Sequence, residues 1–581
     1  MSIDPEEARV YLEAVSLRDF RGITCEVPIA YPLSVLAGAN NVGKSTVIDA
    51  IRLVTQPYEE FKSRPRVALT DFSHDGTGAR VSDEFTITLR LVGLDLQERG
   101  RMVTCLTPAR GAGTAALTMT ARVLDGDRIS AAISGGDHAN RDVEAFARSA
   151  IRNVYLHPLR DAARDLRAGQ GNRLVDLVSA FAEQADKSEI ESVIDDANAA
   201  LSTVDAIIKA NGAIGTSLGG LTGSGIFAQL HDLRFAPARY ERIVSALRAM
   251  IGRLAPLELD ENGLGYNNLL YMAVLLAVLQ NAEEAPLQLL LVEEPEAHLH
   301  PQLQDLLMQH LEQQAGQGSQ VVLTTHSPGL TSSARVERIT AIASSQRDAT
   351  VAVHLGSSVD LSEDERLFLR RFLDVTKASI LFAAGVILVE GVAEQLVVPV
   401  IAKGLDMPLS AAGVSVVNVG GLNFRPFVKL FGESGLPARC AVVTDGDPEV
   451  TSGEYDPEEL ALSSYAQAMR QESSGDTQAF TARRTFEWDL AYESDGANRE
   501  ILLAALAPLR PRVAARLGAL EAAPDAWADA FLGAVERIKG AFAQALVVHL
   551  ENTGARLAAP EYLASAVAWA AGRSSADDDL I

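Results

Sequence analysis

The sequence predicts an α/β protein in two consecutive parts, and three observations carry that reading. A strand-like run, Leu33, Val35 and Leu36, opens through a glycine-containing turn into a helical pattern. Two further apolar runs, Leu287 with Leu289–Val292 and then Val321–Thr325, end in titratable residues, as buried strands of a parallel sheet do when they deliver side chains to an edge. Beyond residue 380 the pattern returns: Val386–Val389 ends in Glu390-Gly391, and Ala441–Thr444 ends in Asp445-Gly446-Asp447. Open α/β sheets bind ligands at the carboxyl ends of their strands, so these four ends are the places to look for chemistry.

Composition bounds the answer. A chain of 581 residues that is 48% hydrophobic has material for several cores. The formal net charge of −25 argues against a broadly basic nucleic-acid surface. Any such contact has to come from local stretches: Arg366, Arg370, Arg371 and Lys377, then Arg483 and Arg484, then Arg510, Arg512 and Arg516. Cys25, Cys105 and Cys440 are scattered and odd in number, which gives neither a disulfide framework nor zinc-ligand spacing. The apolar stretch Leu269–Leu279 is shorter than the ~20 residues a membrane span needs. Acids stand where a signal peptide would be basic, so a cytoplasmic location with no membrane contact is expected. Ser574–Asp579 reads as a disordered acidic tail.

The turn after the first strand reads Gly38-Ala39-Asn40-Asn41-Val42-Gly43-Lys44-Ser45-Thr46, a complete GxxxxGKS phosphate loop between strand and helix. Gly38 and Gly43 let the backbone curl so that N–H groups face phosphate at a helix N-terminus. Lys44 neutralises phosphate oxygens, and Ser45 offers a hydroxyl to Mg²⁺. Gly38, Asn40, Asn41, Gly43, Lys44, Ser45 and Thr46 are therefore the expected ATP-binding residues. Downstream, Leu287–Val292 ends in Glu293-Glu294-Pro295-Glu296, and Val321–Thr325 ends in His326. Glu293, where Asp is usual, is expected to support Mg²⁺ through water, Glu294 to polarise the attacking water and His326 to sense the γ-phosphate.

These parts resemble the ABC-type ATPase heads of SMC and Rad50 proteins, as do Leu17-Arg18-Asp19-Phe20-Arg21-Gly22-Ile23 and the helix start Asn262-Gly263-Leu264-Gly265-Tyr266-Asn267-Asn268. The resemblance implies heads that work in pairs, the segment from Gly263 capping ATP held by the other subunit. The usual serine of that signature is missing. Between the ATPase halves, Leu174–Phe181, Glu189–Val204 and Arg242–Met250 read as helices broken by glycine-rich Gly212–Gly225. They form an insertion suited to dimerisation and too short for a long coiled coil. The expected domains are 1–160 (ATPase, N-terminal half), 161–249 (helical insertion), 250–376 (ATPase, C-terminal half) and 377–581 (a second α/β domain with C-terminal helices).

In that second domain Glu390 and Glu394 flank a strand-to-helix turn. Asp445 and Asp447, two apart on extended backbone, should project to one side. Oxygen ligands without Cys or His suit Mg²⁺ or Mn²⁺, and two such ions about 3.5–4 Å apart serve phosphodiester cleavage. This pair of motifs resembles the Toprim domain of topoisomerases, primases and certain nucleases.

An ATPase head followed by Toprim resembles the overcoming-lysogenization-defect (OLD) family. Tyr155-Leu156-His157-Pro158-Leu159-Arg160-Asp161-Ala162, Leu373-Asp374-Val375-Thr376-Lys377 and Thr485-Phe486-Glu487-Trp488-Asp489-Leu490-Ala491 add to the likeness. The resemblance implies an ATP-binding, metal-dependent DNA endonuclease that is a homodimer or a higher homo-oligomer. Glu390, Glu394, Asp445, Asp447 and Glu487 would hold the metals, Lys539 would face the transition state, and Thr444 would touch the scissile phosphate. Some Toprim-bearing relatives pair with a helicase against phage, so a helicase partner and a defence role belong to the expectation. The alternative is an ATP-gated, SMC-like DNA-binding or repair scaffold that does not cleave. A topoisomerase would need a tyrosine-bearing gate domain, and a primase a zinc module.

Overall fold

The computed structural model describes residues 10–57, 66–137, 143, 145–157, 166–167, 169, 172–223, 225–252, 254–281, 285–315, 319–345, 349–432, 434–449 and 460–572. Its strands in chain order are β1 (Tyr11–Phe20), β2 (Ile23–Pro28), β3 (Leu33–Ala37), β4 (Gln56–Pro57), β5 (Glu84–Val92), β6 (Ala115–Leu124), β7 (Arg128–Gly135), β8 (Ile151–Leu156), β9 (Met250–Ile251), β10 (Leu257–Glu258), β11 (Leu287–Glu293), β12 (Ser319–Thr325), β13 (Ile339–Ser344), β14 (Thr350–His354), β15 (Gly385–Val389), β16 (Val414–Asn418), β17 (Arg439–Thr444) and β18 (Thr477–Thr481).

The N-terminal part stacks two sheets. An antiparallel sheet, β2-β1-β5-β6-β7, alternates buried and half-buried residues along β5, as a strand with one face on the core does. The second sheet runs β14-β13-β3-β12-β11-β8-β4 and is parallel except where β14 returns along β13. Its central strand β3 is buried at every position, which accounts for its continuous apolar run. The helix Lys44–Val54 lies between the sheets and buries Val47, Ile48 and Ile51 in the core formed by Leu17, Ile87, Leu89 and Leu289. Because β12 and β11 are the next strands beside β3, the phosphate loop, the acidic turn and His326 leave the sheet at one edge.

The expected second domain is a four-stranded parallel sheet in the order β16-β15-β17-β18. Val389 pairs with Val443, so Glu390 and Asp445 leave adjacent strands at the same edge. Six helices, from Phe486–Gly496 to Glu561–Ala570, share a core that includes Trp488, Trp527, Phe531 and Phe542. The closing helix sits so tightly on β15 that a Cβ on Gly385 would stand 2.1 Å from the Ala570 carbonyl oxygen. The two domains are not separated by a solvated linker. Leu355, Leu361 and Leu369 from the end of the ATPase belong to the same buried cluster as Val386, Phe427 and Val442. A short helix at this junction, Glu363–Phe372, is capped by Ser362 and tied across by a 2.7 Å Glu365–Lys429 ion pair.

The insertion departs from expectation in detail. The helices Arg173–Phe181 and Gln184–Ser202 are where the pattern put them. Gly212–Gly225 does not break the next one: the helix Asp205–Thr222 runs through it. Gly212, Gly215 and Gly219 share a face at helical spacing, and at Gly215 a Cβ would stand 2.4 Å from the His231 ring, so the small residues admit a close neighbour. The helix expected over Arg242–Met250 is only Tyr240–Val244, and Met250 begins a strand. Pro158–Ala162 and Ser574–Asp579 lie outside the described residues. Among the described residues no helix is long and apolar enough to cross a membrane.

Asn498 is a tie within the C-terminal helices. It is 1% exposed, donates to the carbonyls of Leu490 and Ala558 at 2.8 and 2.9 Å, and accepts from the Ala558 N–H at 2.8 Å. Asn498→Ala removes three bonds and strands buried backbone groups, at an expected cost of about 3 kcal/mol. All three tryptophans lie in this half, Trp488, Trp527 and Trp569. Denaturant unfolding followed by tryptophan fluorescence therefore reads this domain alone, and an unchanged midpoint contradicts the assignment.

Candidate functional site

The phosphate loop is shaped by local sterics. A Cβ on Gly38 would lie 2.1 Å from the Ile342 carbonyl oxygen of β13, so only glycine fits. Gly43 and Asn41 adopt φ of 101° and 64°, the left-handed region that Gly and Asn tolerate best. Lys44 is buried and its Nζ donates to the carbonyls of Gly38 and Ala39 at 2.8 and 2.7 Å. Burial pushes its pKa down, opposed by Glu294, Glu296 and Glu293. Ser45 is exposed at the mouth and donates to Glu293 Oε2 at 2.7 Å, which joins the two residues expected around Mg²⁺. Asn40 is exposed and Thr46 half-buried in the same turn.

The acidic turn is brought to the loop as expected. Glu293 ends β11 and is 4% exposed, while Glu294 turns the chain with φ of 42°. His326 Nδ1 stands 3.2 Å from Glu294 Oε1. Two participants lack a distinguishing mark in the sequence. Tyr155 of β8 donates its hydroxyl to Glu293 Oε1 at 2.9 Å, and the Arg52 guanidinium lies 3.6 Å from the centre of its ring. Glu296, 7% exposed, accepts at Oε1 from the Thr325 hydroxyl at 2.6 Å and from the His326 N–H at 3.1 Å. Tyr155 shares its strand with Arg152 and Asn153, so nothing in the run singles it out. Glu296 is the third acid of the turn, where the sequence alone reads it as solvated.

The helix start at Gly263 divides. Gly263, Leu264 and Tyr266 are exposed, but Asn267 is buried and donates to the Leu259 carbonyl at 2.8 Å. The outward-facing stretch thus ends at Tyr266.

In the second domain Glu390 Oε1 accepts from the Asp445 N–H at 2.8 Å and from the Thr444 hydroxyl. Asp445 Oδ1 accepts from the Phe486 N–H at 2.8 Å. Glu394, in the first turn of the helix Val392–Gly404, is 8% exposed, and Glu487 in Phe486–Gly496 is 1% exposed. Burial, then the charges of Glu487 and Glu390, push Glu394 up to about 7. Burial, then Glu390 and Glu394, raise Asp445 well above the usual carboxylate range. Lys539 Nζ stands 2.8 Å from Glu487 Oε2; burial works against its charge, and Glu487, Asp445 and Glu394 outweigh it and raise its pKa.

Asp447 departs from expectation. The backbone is not extended there: its φ is 41°, and the residue is exposed past the turn. The side-by-side pairing with Asp445 fails for that reason. Gly446 is fixed instead by crowding: a Cβ there would stand 2.4 Å from the Ala482 carbonyl oxygen. Asp489 holds this opposing segment by accepting from the N–H groups of Arg483 and Arg484 at 2.8 and 3.1 Å.

Among the described residues no group of three or more His, Cys, Asp or Glu stands in ligand positions around a common point. The residues nevertheless fit a hard cation. Glu487 Oε1 is buried without a hydrogen-bond partner, and acidic oxygens outnumber the one nearby ammonium. A carboxylate left in that state is costly unless a cation joins it. The basic stretches are mostly committed: Arg366 to the Leu361 and Gly356 carbonyls, Lys377 to Asp374, Arg483 to Glu493, Arg484 to Asp529 and Arg510 to the Ala534 carbonyl. Arg370, Arg371, Arg512 and Arg516 are exposed.

Two family descriptions match: an AAA ATPase domain over residues 149–331, and an overcoming lysogenization defect protein-like TOPRIM domain over residues 381–447. The curated OLD nuclease of Thermus scotoductus is 27% identical over 166 residues, 28% of this chain and 31% of that protein. The chain thus matches about a third of that relative's length. The C-terminal region of the Xanthomonas campestris pv. campestris OLD protein is 30% identical, with 33% of this chain and 96% of that one covered and a TM-score of 0.24. The Smc head domain from Pyrococcus furiosus, solved with the C-terminal domain of ScpA, is 15% identical, covers 59% and 96% of the two chains and has a TM-score of 0.35. The chain thus joins an AAA ATPase domain and an overcoming lysogenization defect protein-like TOPRIM domain in one polypeptide.

Proposed function

We propose that the chain binds and hydrolyses ATP and is a divalent-metal-dependent DNA endonuclease. The observation that carries the proposal is the gathering of the buried Glu394 and Glu487 and the half-buried Asp445 with Lys539 at one edge of the Toprim sheet, downstream of a complete phosphate loop. Glu390, Glu394, Asp445 and Glu487 are the residues that hold Mg²⁺ or Mn²⁺ in this reading, with Asp447 as an outer ligand. When bound, the ions supply an acidified water and charge neutralisation at the phosphodiester. Lys539 meets the charge that develops on the phosphate, and Glu390 keeps Thr444 and Asp445 in register at the strand end. In the ATPase, Lys44 and Ser45 bind the triphosphate and its Mg²⁺, Glu293 supports the metal, Glu294 polarises water and His326 senses the γ-phosphate.

The assembly we propose is a homodimer joined through the insertion. Phe181, Leu221, Ile226, Phe227 and Leu230 are exposed apolar side chains of this segment, more than a solvated arm needs. The setting is cytoplasmic, in phage defence or DNA repair, with a helicase as the partner to seek.

Supercoiled plasmid with Mn²⁺ or Mg²⁺ tests the nuclease. The native protein is expected to nick or linearise it, and Asp445→Ala and Lys539→Ala to lose about 10²–10³-fold in rate. Intact plasmid in every lane, alongside ATP turnover, establishes the non-cleaving scaffold instead.

For the ATPase, Glu294→Gln is expected to keep nucleotide affinity and lose about 10²–10⁴-fold in turnover, while Lys44→Ala loses affinity. Equal turnover in Glu294→Gln and native protein removes Glu294 from the chemistry. Light scattering on Phe227→Asp/Leu230→Asp is expected to report a monomer; an unchanged dimer mass sends the interface elsewhere.

A further inference from the structure

The ATPase site contains a buried acid with no assigned part in the reaction. Glu296 lies three residues past the end of β11 and is 7% exposed. Its Oε1 accepts two bonds, from the Thr325 hydroxyl at 2.6 Å and from the His326 N–H at 3.1 Å, and the Thr325 hydroxyl in turn accepts from the Ser327 N–H at 2.9 Å. The residues so tied are the ones at which β12 stops and His326 turns toward Glu294. His326 Nδ1 is 3.2 Å from Glu294 Oε1 and 3.7 Å from Glu296 Oε1. Glu296 Oε2 is buried and has no hydrogen-bond partner.

We propose that Glu296 is a positioning residue that latches the end of β12 to the acidic turn, so that Glu294 and His326 move as one unit. The inference rests on the ATPase reading above. A buried carboxylate that accepts two or more N–H or O–H donors is held far more firmly than an exposed side chain, and it transmits that order to the backbone it holds. Without the latch, the turn is held by the β-ladder behind it and by the Ser327 cap on the helix ahead, but His326 between them loses its own tie, and the imidazole loses its fixed distance from Glu294. Substrate affinity is set at Lys44 and Ser45 and is not expected to change. The loss falls on turnover, the signature of an interaction that serves the transition state rather than binding. The unpartnered Oε2 adds one open acceptor beside the pair, a place for a water donor.

The test uses the full chain with Glu296→Ala, Glu296→Gln and Thr325→Val. Nucleotide affinity is read with a fluorescent ATP analogue, turnover by phosphate release, and backbone order by hydrogen exchange of the peptide containing Thr324–Ser327. In Glu296→Ala the His326 amide is expected to exchange about tenfold faster and turnover to fall at least about tenfold, with the dissociation constant within about threefold of native. Glutamine keeps an accepting oxygen, so Glu296→Gln is expected to restore both readings to within about threefold, and Thr325→Val to fall between. Unchanged exchange in Glu296→Ala overturns the latch, as does a Gln variant no better than Ala. If the Ala variant does not fold, Thr325→Val decides: native exchange and native turnover overturn the proposal. A native protein that binds nucleotide and never hydrolyses it refutes the ATPase reading, and the exchange data still judge the latch.

Discussion

One interaction recurs at both sites, and both depend on it: a carboxylate just past the end of one parallel strand accepts from the threonine hydroxyl that ends the neighbouring strand and from the next N–H. Glu296 takes Thr325 and His326, and Glu390 takes Thr444 and Asp445. The constraint behind it is general. Where a parallel ladder stops, its last backbone donors lose their partners just as the chain must turn to present a functional side chain. A carboxylate from the adjacent strand supplies acceptors at that point and converts a fraying end into a fixed one. In each case the residue whose N–H is held, His326 or Asp445, is itself a candidate for chemistry.

The same carboxylates create a charge problem, answered by a single lysine at each site. Around Lys44 stand Glu293, Glu294 and Glu296, and around Lys539 stand Glu394, Asp445 and Glu487. Burial presses each lysine toward neutrality and the acids press it back. The outcomes differ: Lys44 ends lowered and Lys539 raised, because Lys539 has a direct ion pair with Glu487 whereas Lys44 is bound to the neutral carbonyls of Gly38 and Ala39. A lysine that rests on neutral acceptors is cheap to redirect toward a phosphate. One that rests on a buried carboxylate is released only when another cation takes that carboxylate, which ties the availability of Lys539 to the ionic state of Glu487.

What was legible in the sequence follows from periodicity and from motifs set by backbone shape. The buried strands β3, β11, β12, β15 and β17 each appear as an apolar run, and the loop Gly38–Thr46 has residue types fixed by local sterics. Long-range partners were hidden. Tyr155 reaches Glu293 across 138 positions, and Glu296 looks like one more surface acid until β12 is laid beside β11. Asp447 misled because a period of two holds only on extended backbone, and the strand ends at Thr444. The glycines of Asp205–Thr222 misled in the opposite direction: a poor intrinsic helix former is tolerated when its missing side chains let another segment approach.

The junction between the domains limits how nucleotide state and DNA chemistry can communicate in the proposed enzyme. Leu355, Leu361 and Leu369 share one core with Val386, Phe427 and Val442, and Glu365 is paired with Lys429 across the boundary, so independent tumbling of the two halves would expose apolar surface. Packed interiors resist continuous deformation and respond as whole elements. The helix Glu363–Phe372 follows β14, which pairs with β13, and β13 lies directly on the phosphate-loop strand β3. A displacement at β3 therefore reaches the Toprim sheet through two strands and one helix, all anchored in a shared core. Coupling by a rigid shift of that helix is physically open to this architecture, whereas a loosely tethered nuclease is not.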